Sequence, residues 1–289
     1  MLESGPYTAW LSQVAALLGQ TSAPPYRGLA HLPSHAHPTL PAEAPVVLLC
    51  SPHPDDECIS GALPLRLMQE AGYRVINLAM TLGSDISRRA ARQQELTEAC
   101  TYLGFDLRVL LETGAHPLNL AARATQPAHW QHCVAALVTV LQQTQPAWII
   151  SPHAGDGHAT HIGTHALVQE ALRVWGQPVK WAQSEFWGEL PHPNLLVGVS
   201  VPLADQLITA LACHVGEVRR HPYQLRLPAW LANNARRGSE LVNGPGQQAA
   251  PDVFATLYTY GLWDGQAFTP SAPMALAASL DDLGPFARG

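Results

Sequence analysis

Ser51-Pro52-His53-Pro54-Asp55-Asp56-Glu57 puts one imidazole and three carboxyl groups within five positions. Carboxylates crowded in this way repel one another and resist desolvation, and a divalent cation is the simplest counter-charge. A catalytic zinc takes three protein ligands and leaves a fourth position for water. The His53-Pro-Asp-Asp56 spacing lets His53 and Asp56 approach one ion while Asp55 points to the open position, where it is placed to take a proton from water. The competing reading is a polar loop whose acid caps a helix, but capping needs one carboxylate and no histidine.

The third ligand has to come from another segment. Residues 151–165, SPHAGDGHATHIGTH, offer His153, Asp156, His158, His161 and His165. His161 and His165, four apart, could share a helix face. His158 and His161, three apart at a helix start, could divide the work, one on the metal and one facing the reacting group. Spacing leaves these pairs open.

Both clusters need a frame. Pro45-Val-Val-Leu-Leu-Cys50 and Ala147-Trp-Ile-Ile150 each run directly into Ser-Pro-His. Continuous apolar runs of this kind read as strands of a parallel sheet buried on both faces, which deliver the next residues to the carboxyl edge where ligands bind. Between them the pattern predicts a helix over 61–72, a strand over 73–80, a helix over 87–104, a strand over 106–111, an irregular loop over 112–126 and a helix over 128–143. Beyond 165 it predicts a helix to 175, strands at 179–190 and 194–201, the last closing the sheet antiparallel, and a helix over 203–219. Residues 221 onward, rich in Pro, Asn, Arg and Gly, give no clear pattern. An amphipathic helix is expected at 7–18, packed on the outside of the domain or on a partner subunit. Residues 19–45 have a connector composition, a poor setting for metal binding by His31, His35 and His37. The fold expected is α/β: three-layer α/β/α, Rossmann-like, with a mostly parallel sheet. It forms a single domain over 45–289, preceded by an N-terminal helix and connector over 1–44.

Among 289 residues, 13% are charged and 47% hydrophobic, which excludes a disordered chain. A net charge of −6 gives no electrostatic footprint for nucleic acid or an anionic membrane. The five cysteines, Cys50, Cys58, Cys100, Cys133 and Cys213, are scattered and never spaced as CxxC, as expected of reduced core residues. Without a signal-like start or an apolar run of membrane length, the reading is cytoplasmic with no membrane insertion. Oligomeric state stays open, a homo-oligomer included. No GxGxxG follows the first strand, which argues against a dinucleotide enzyme.

Taken together these segments resemble the LmbE-like, or PIG-L, family of zinc-dependent N-acetylglucosaminyl deacetylases, whose signature is a strand followed by Pro-His-Pro-Asp-Asp-Glu. Residues 51–57 match it fully. Met80-Thr-Leu-Gly-Ser84 matches the family's Thr-x-Gly turn, and Arg92-Gln-Gln-Glu95-Leu96 with Leu103-Gly104 its Arg-x-x-Glu-Leu helix. Gly155-Asp-Gly-His-Ala-Thr-His161 is similar to a Gly-Asp-Gly-His-Pro-Asp-His form. The resemblance covers roughly residues 45–260. It implies one Zn2+ per chain, with Fe2+ or Co2+ as alternatives, on His53, Asp56 and His161. It also implies Asp55 as general base, a protonated His158 against the reacting carbonyl or leaving amine, and Arg92 on the sugar conjugate. The implied substrate is an N-acetylglucosamine-containing small molecule or conjugate. The alternatives are an amidase or esterase on another acyl compound, or a metal-binding relative without turnover.

The chain departs from the family in two places. Ala159 and Thr160 stand where the family has Pro and Asp, so the carboxylate that would hold the imidazolium of His158 is missing unless Asp156 replaces it. Glu112-Thr-Gly-Ala-His-Pro-Leu118 stands where an acid near a Pro-Asp-Gly turn is common, which predicts an unusual substrate pocket. His153 and His214 read as core-edge or surface histidines, and Trp181 and Trp187 as packing rather than a sugar platform.

Overall fold

The computed structural model describes residues 5–278 together with Leu283 and Phe286. After α1 (Thr8–Leu18) the chain follows the order β1 (Val46–Ser51), α2 (Asp56–Ile59), α3 (Ala62–Ala71), β2 (Arg74–Ala79), α4 (Arg89–Leu103), β3 (Asp106–Val109). It continues through α5 (Leu120–Thr125), α6 (Pro127–Thr144), β4 (Trp148–Pro152), α7 (Ala159–Trp175), β5 (Val179–Ser184) and β6 (Leu195–Val199). The last part is α8 (Val201–Ala212), α9 (Val215–Val218), α10 (Tyr223–Leu241), β7 (Phe254–Trp263), β8 (Phe268–Pro270) and β9 (Met274–Leu276).

The strands form one sheet in the order β3-β2-β1-β4-β5-β7-β6-β9, with β8 beside β7. β1 pairs parallel with both β2 and β4, and β4 pairs parallel with β5. From β1 the chain winds outward through β2 and β3, then returns to lay β4 on the other side. The boundary between β1 and β4 is therefore the point where strand order reverses, and a crevice opens there beyond the carboxyl ends. Alternation along β1 builds the layers. Val47 and Leu49 face Leu63, Leu67 and Leu96 on one side, while Leu48 and Cys50 face Trp130, Leu137 and Leu167 on the other. The expected three-layer α/β/α arrangement is thus present, and all five cysteines are buried and unpaired.

Two expectations are corrected. The strand at 194–201 does not close the sheet antiparallel: β6 runs with the parallel set, and the reversed strand is β7, antiparallel to both β5 and β6. The helix read across 203–219 is broken after Ala212 into α8 and α9. Within the connector at 19–45, Tyr26, Leu29, Leu32 and Leu40 pack on the core and the Tyr26 hydroxyl donates to Glu98 at 2.6 Å. α1 itself leaves Trp10, Leu11, Leu17 and Leu18 exposed. No helix among the described residues is long and apolar enough to cross a membrane.

Candidate active site

The two Ser-Pro-His segments leave β1 and β4 side by side at the crevice. In the first, the His53 amide donates to Asp56 Oδ2 at 2.8 Å, folding the loop back on itself. The same Asp56 oxygen stands 3.3 Å from His53 Nδ1 and 3.3 Å from His161 Nε2. Donors arranged tetrahedrally at zinc distances are separated from one another by about 3.3–3.4 Å, and both separations from the Asp56 oxygen have that value. His161 Nε2 is buried and has no hydrogen-bond partner, an orphan that a metal bond would satisfy. Its Nδ1 faces Asp156 Oδ2 at 3.4 Å, the carboxylate support that fixes a ligating imidazole.

Charge follows the same geometry. Burial alone lowers the His161 pKa, but the nearby Asp56 carboxylate, and then Asp156 beside Nδ1, push it up to about 10. Burial works against ionised Asp56, yet His161 and His53 hold its carboxyl well below the usual range. Asp55 goes the opposite way: burial, and then the Asp56 charge, push its carboxyl well above the usual range, with Arg92 opposing. One of two adjacent acids thus stays anionic while the other is tuned toward proton exchange.

Asp55 also carries backbone strain, with φ 123°, in the region that favours glycine. Its amide donates to Glu57 Oε2 at 2.9 Å, which holds the turn. Beneath the loop, Thr81 Oγ1 donates to the Pro52 carbonyl at 2.8 Å. Gly83, at φ +89°, has no Cβ because the Arg92 guanidinium passes through that space. Arg92 Nη2 donates to the Pro54 carbonyl at 3.0 Å and lies 3.8 Å from Glu217 Oε1, so this arginine is aimed at the acidic loop rather than at bulk solvent.

His158 caps α7, and its Nδ1 accepts from the Thr160 amide at 3.2 Å. An acceptor Nδ1 carries no proton, so the ring is neutral with its hydrogen on Nε2. Burial, followed by the nearby His53 and His161, lowers its pKa in agreement. Where the resemblance implies a protonated His158, the geometry here is that of a neutral ring placed to donate from Nε2. Asp156 does not replace the missing carboxylate at His158 either: it accepts that residue's backbone amide at 2.9 Å and supports the His161 ring.

The other third-ligand candidates point elsewhere. His165 Nδ1 donates to the Pro152 carbonyl at 3.1 Å, and its ring stacks on Trp181 at 5.1 Å. His153 Nε2 donates to the Gly188 carbonyl at 2.8 Å and its Nδ1 accepts from the Gly155 amide, tying two loops together. The ligating atoms of His53, His158 and His161 lie within 4.8 Å of one another, so His158 faces the same point as the Asp56 set.

A cavity of about 450 Å³ opens above these residues, walled by Arg92, His116, Trp187, Arg220, His221 and Tyr223. Trp181 is fully buried as expected, but Trp187 is not simply packing: it is 49% exposed and its ring centroid lies 6.1 Å from that of His158. His116 brings the unusual loop after β3 into the wall, as the departure at 112–118 foreshadowed. His214, read as a core-edge or surface residue, is completely buried. Glu217, Arg220, His221 and Tyr223 had no signal in the sequence, because their place depends on the break between α8 and α9.

Comparison with known proteins accords with this geometry. Residues 48–172 match the family model described as "PIG-L: GlcNAc-PI de-N-acetylase". A 1D-myo-inositol 2-acetamido-2-deoxy-α-D-glucopyranoside deacetylase of Mycobacterium leprae is 28% identical over 161 residues, 47% of this chain and 52% of that protein. The chain thus aligns with about half the length of that curated relative. In fold, the chain is similar to an N,N'-diacetylchitobiose deacetylase from Pyrococcus horikoshii, at TM-score 0.55 and 15% identity over 91% of this chain and 95% of the other. It is also similar to a 4-carboxy-2-hydroxymuconate hydratase from Pseudomonas putida, at TM-score 0.54 and 18% identity over 75% and 95%, so the fold alone does not fix the reaction. The chain is thus similar to the PIG-L family over residues 48–172, less than half of its length.

Proposed function

We propose that this chain is a metal-dependent N-deacetylase that releases acetate from an N-acetylglucosamine-containing small molecule or conjugate. The observation that carries the reading is the 3.3 Å spacing of Asp56 Oδ2 from both His53 and His161, beside an Asp55 carboxyl tuned upward. The deacetylase names of the curated relatives point to the amino-sugar class. His53, Asp56 and His161 would hold the ion, with Zn2+ favoured by the two-imidazole, one-carboxylate set and Fe2+ or Co2+ able to use the same donors. When bound, the metal supplies Lewis acidity toward the acyl carbonyl and toward water.

The chain's own groups do the rest. Asp55 takes the proton of the attacking water and returns it to the amide nitrogen as the C–N bond breaks, so that acetate and a free amine leave. Neutral His158 donates from Nε2 to the acyl oxygen as negative charge builds there. Arg92, steadied between the Pro54 carbonyl and Glu217, contacts the sugar conjugate. Residues 45–289 act as one catalytic unit, with α9 and α10 completing the cavity, and residues 1–44 lie outside the chemistry. A cytoplasmic setting goes with the five unpaired thiols.

The test is acetate release by zinc-loaded protein from a panel of N-acetylglucosaminyl compounds, with and without chelator. Chelator-sensitive release from at least one is expected, and silence across the panel overturns the reading. His116 and Thr160 in the cavity wall favour one second reading, hydrolysis of a different acyl compound. Cleavage of an amide or ester lacking an amino sugar would select it.

A further inference from the structure

We infer that His214 is a positioning residue for Asp55, acting through Glu57 to hold the strained turn of the acidic loop. The inference rests on the proposed hydrolytic reading for its kinetic consequence, though not for its geometry. His214 lies outside the stretch matched by the family model.

The chain breaks between α8 and α9 at Cys213-His214, and the break turns the His214 side chain inward, where it is 0% exposed. Its Nε2 donates to Glu57 Oε1 at 2.6 Å across a sequence separation of 157 residues. Glu57 is also 0% exposed. Its second oxygen, Oε2, accepts from the Asp55 amide at 2.9 Å. Glu57 Oε1 has one further donor, the Cys58 thiol at 3.3 Å, and that thiol belongs to the same loop.

Of these donors to Glu57, only His214 comes from outside the segment that Glu57 must hold. Asp55 needs such a hold because φ 123° is unfavourable for a residue with a Cβ and persists only where surrounding bonds over-determine it. The anchor is itself secured: the His214 amide donates to the Leu211 carbonyl at 3.1 Å, and α8 packs so closely on the loop that a Cβ on Gly61 would stand 2.9 Å from Leu207 Cδ2. The relay therefore runs from the α8–α9 break through a buried carboxylate to the amide of the proposed base. It leaves the Asp56 side chain separately held by the His53 amide.

The test compares H214A and H214Q in the full chain, the latter because a glutamine amide nitrogen can occupy the place of imidazole Nε2. Three quantities are read: metal content, kcat and KM per metal-loaded molecule, and amide hydrogen exchange of peptides covering 53–59. For H214A the expectation is unchanged metal content and KM, kcat lower by about 10- to 100-fold, and faster exchange confined to 53–59, with H214Q recovering most of both. Unchanged kcat per loaded molecule together with unchanged exchange at 53–59 overturns the inference, as does H214Q behaving like H214A. If H214A fails to fold, H214Q against wild type still decides, since a hold made by Nε2 alone predicts near wild-type exchange. If wild-type protein hydrolyses nothing, the functional reading falls, while the exchange data still decide whether His214 holds the loop.

Discussion

The crevice has two halves of different origin. The floor comes from the parallel β-α units between β1 and α7, where His53, Asp55, Asp56, His158 and His161 stand at the ends of adjacent strands. The wall takes Arg92 and His116 from that same stretch but most of its residues from later chain: Trp187 from the loop after β5, Glu217 and Arg220 from around α9, and Tyr223 at the start of α10. Likeness to the family model stops at residue 172, at the end of the floor. The floor is specified by bonds with tight tolerances, such as donor separations of 3.3 Å, whereas the wall is made of rings and guanidiniums whose exchange leaves those separations intact. On the proposed function, the groups that would do the chemistry and most of those that would choose the substrate are thereby divided along the chain, with Arg92 and His116 as the exceptions.

Substitutions can break that division. D55N should have the largest effect, lowering kcat by about 10²- to 10⁴-fold while metal content, measured by elemental analysis, stays at wild-type level. Loss of metal in D55N would show that Asp55 is a ligand and redraw the floor. Next is D156N, which removes the support of His161 and should weaken metal affinity by about 10- to 100-fold in a chelator competition.

The pH dependence of metal binding sharpens the same half. In the metal-free protein the His161 pKa is raised to about 10, above the ordinary value of 6.5. A raised histidine pKa means that the imidazolium stabilises the metal-free fold fully below about 6.5, and that this contribution is lost as pH rises through 10. A metal must displace that proton, so between pH 7 and 9 its affinity should climb about tenfold per unit with one proton released. Calorimetry in buffers of different ionisation enthalpy reads that proton directly, and a flat profile would remove His161 from the ligand set. W187A should have the smallest effect and fall on the other half. KM should rise about 2- to 10-fold with kcat nearly constant, and the ranking of substrates should change. A matching drop in kcat would tie the wall to the chemistry.

The floor was legible in the sequence because buried parallel strands are continuous apolar runs and the acids follow them without a gap. Choosing between His161 and His165 required coordinates, since both lie on α7 and only the packing of His165 on Trp181 turns it away. The wall was illegible for physical reasons. α10 has an interior proline, Pro228, and its buried side includes Asn234 and Arg237 as well as Leu227 and Leu231, so it lacks a clean apolar stripe. Arg237 is buried because it pairs with Glu185 and donates to the Leu190 carbonyl, clasping the loop that carries Trp187. β7 lies past this stretch, and no local pattern announces that it will insert between β5 and β6. Residues 112–118 gave the one early sign of the wall, through His116.

The strand order also bears on how the molecule can be cut. A fragment trimmed to 48–172 would end before β5, turning β4 from an interior strand into a bare edge, and would lose α8 from over Cys58 and Ile59. An apolar edge with unpaired amides invites strand-to-strand association, so such a fragment should aggregate even though it retains His53, Asp56 and His161. The stretch that resembles the family model and the stretch that can fold alone therefore have different boundaries in this chain.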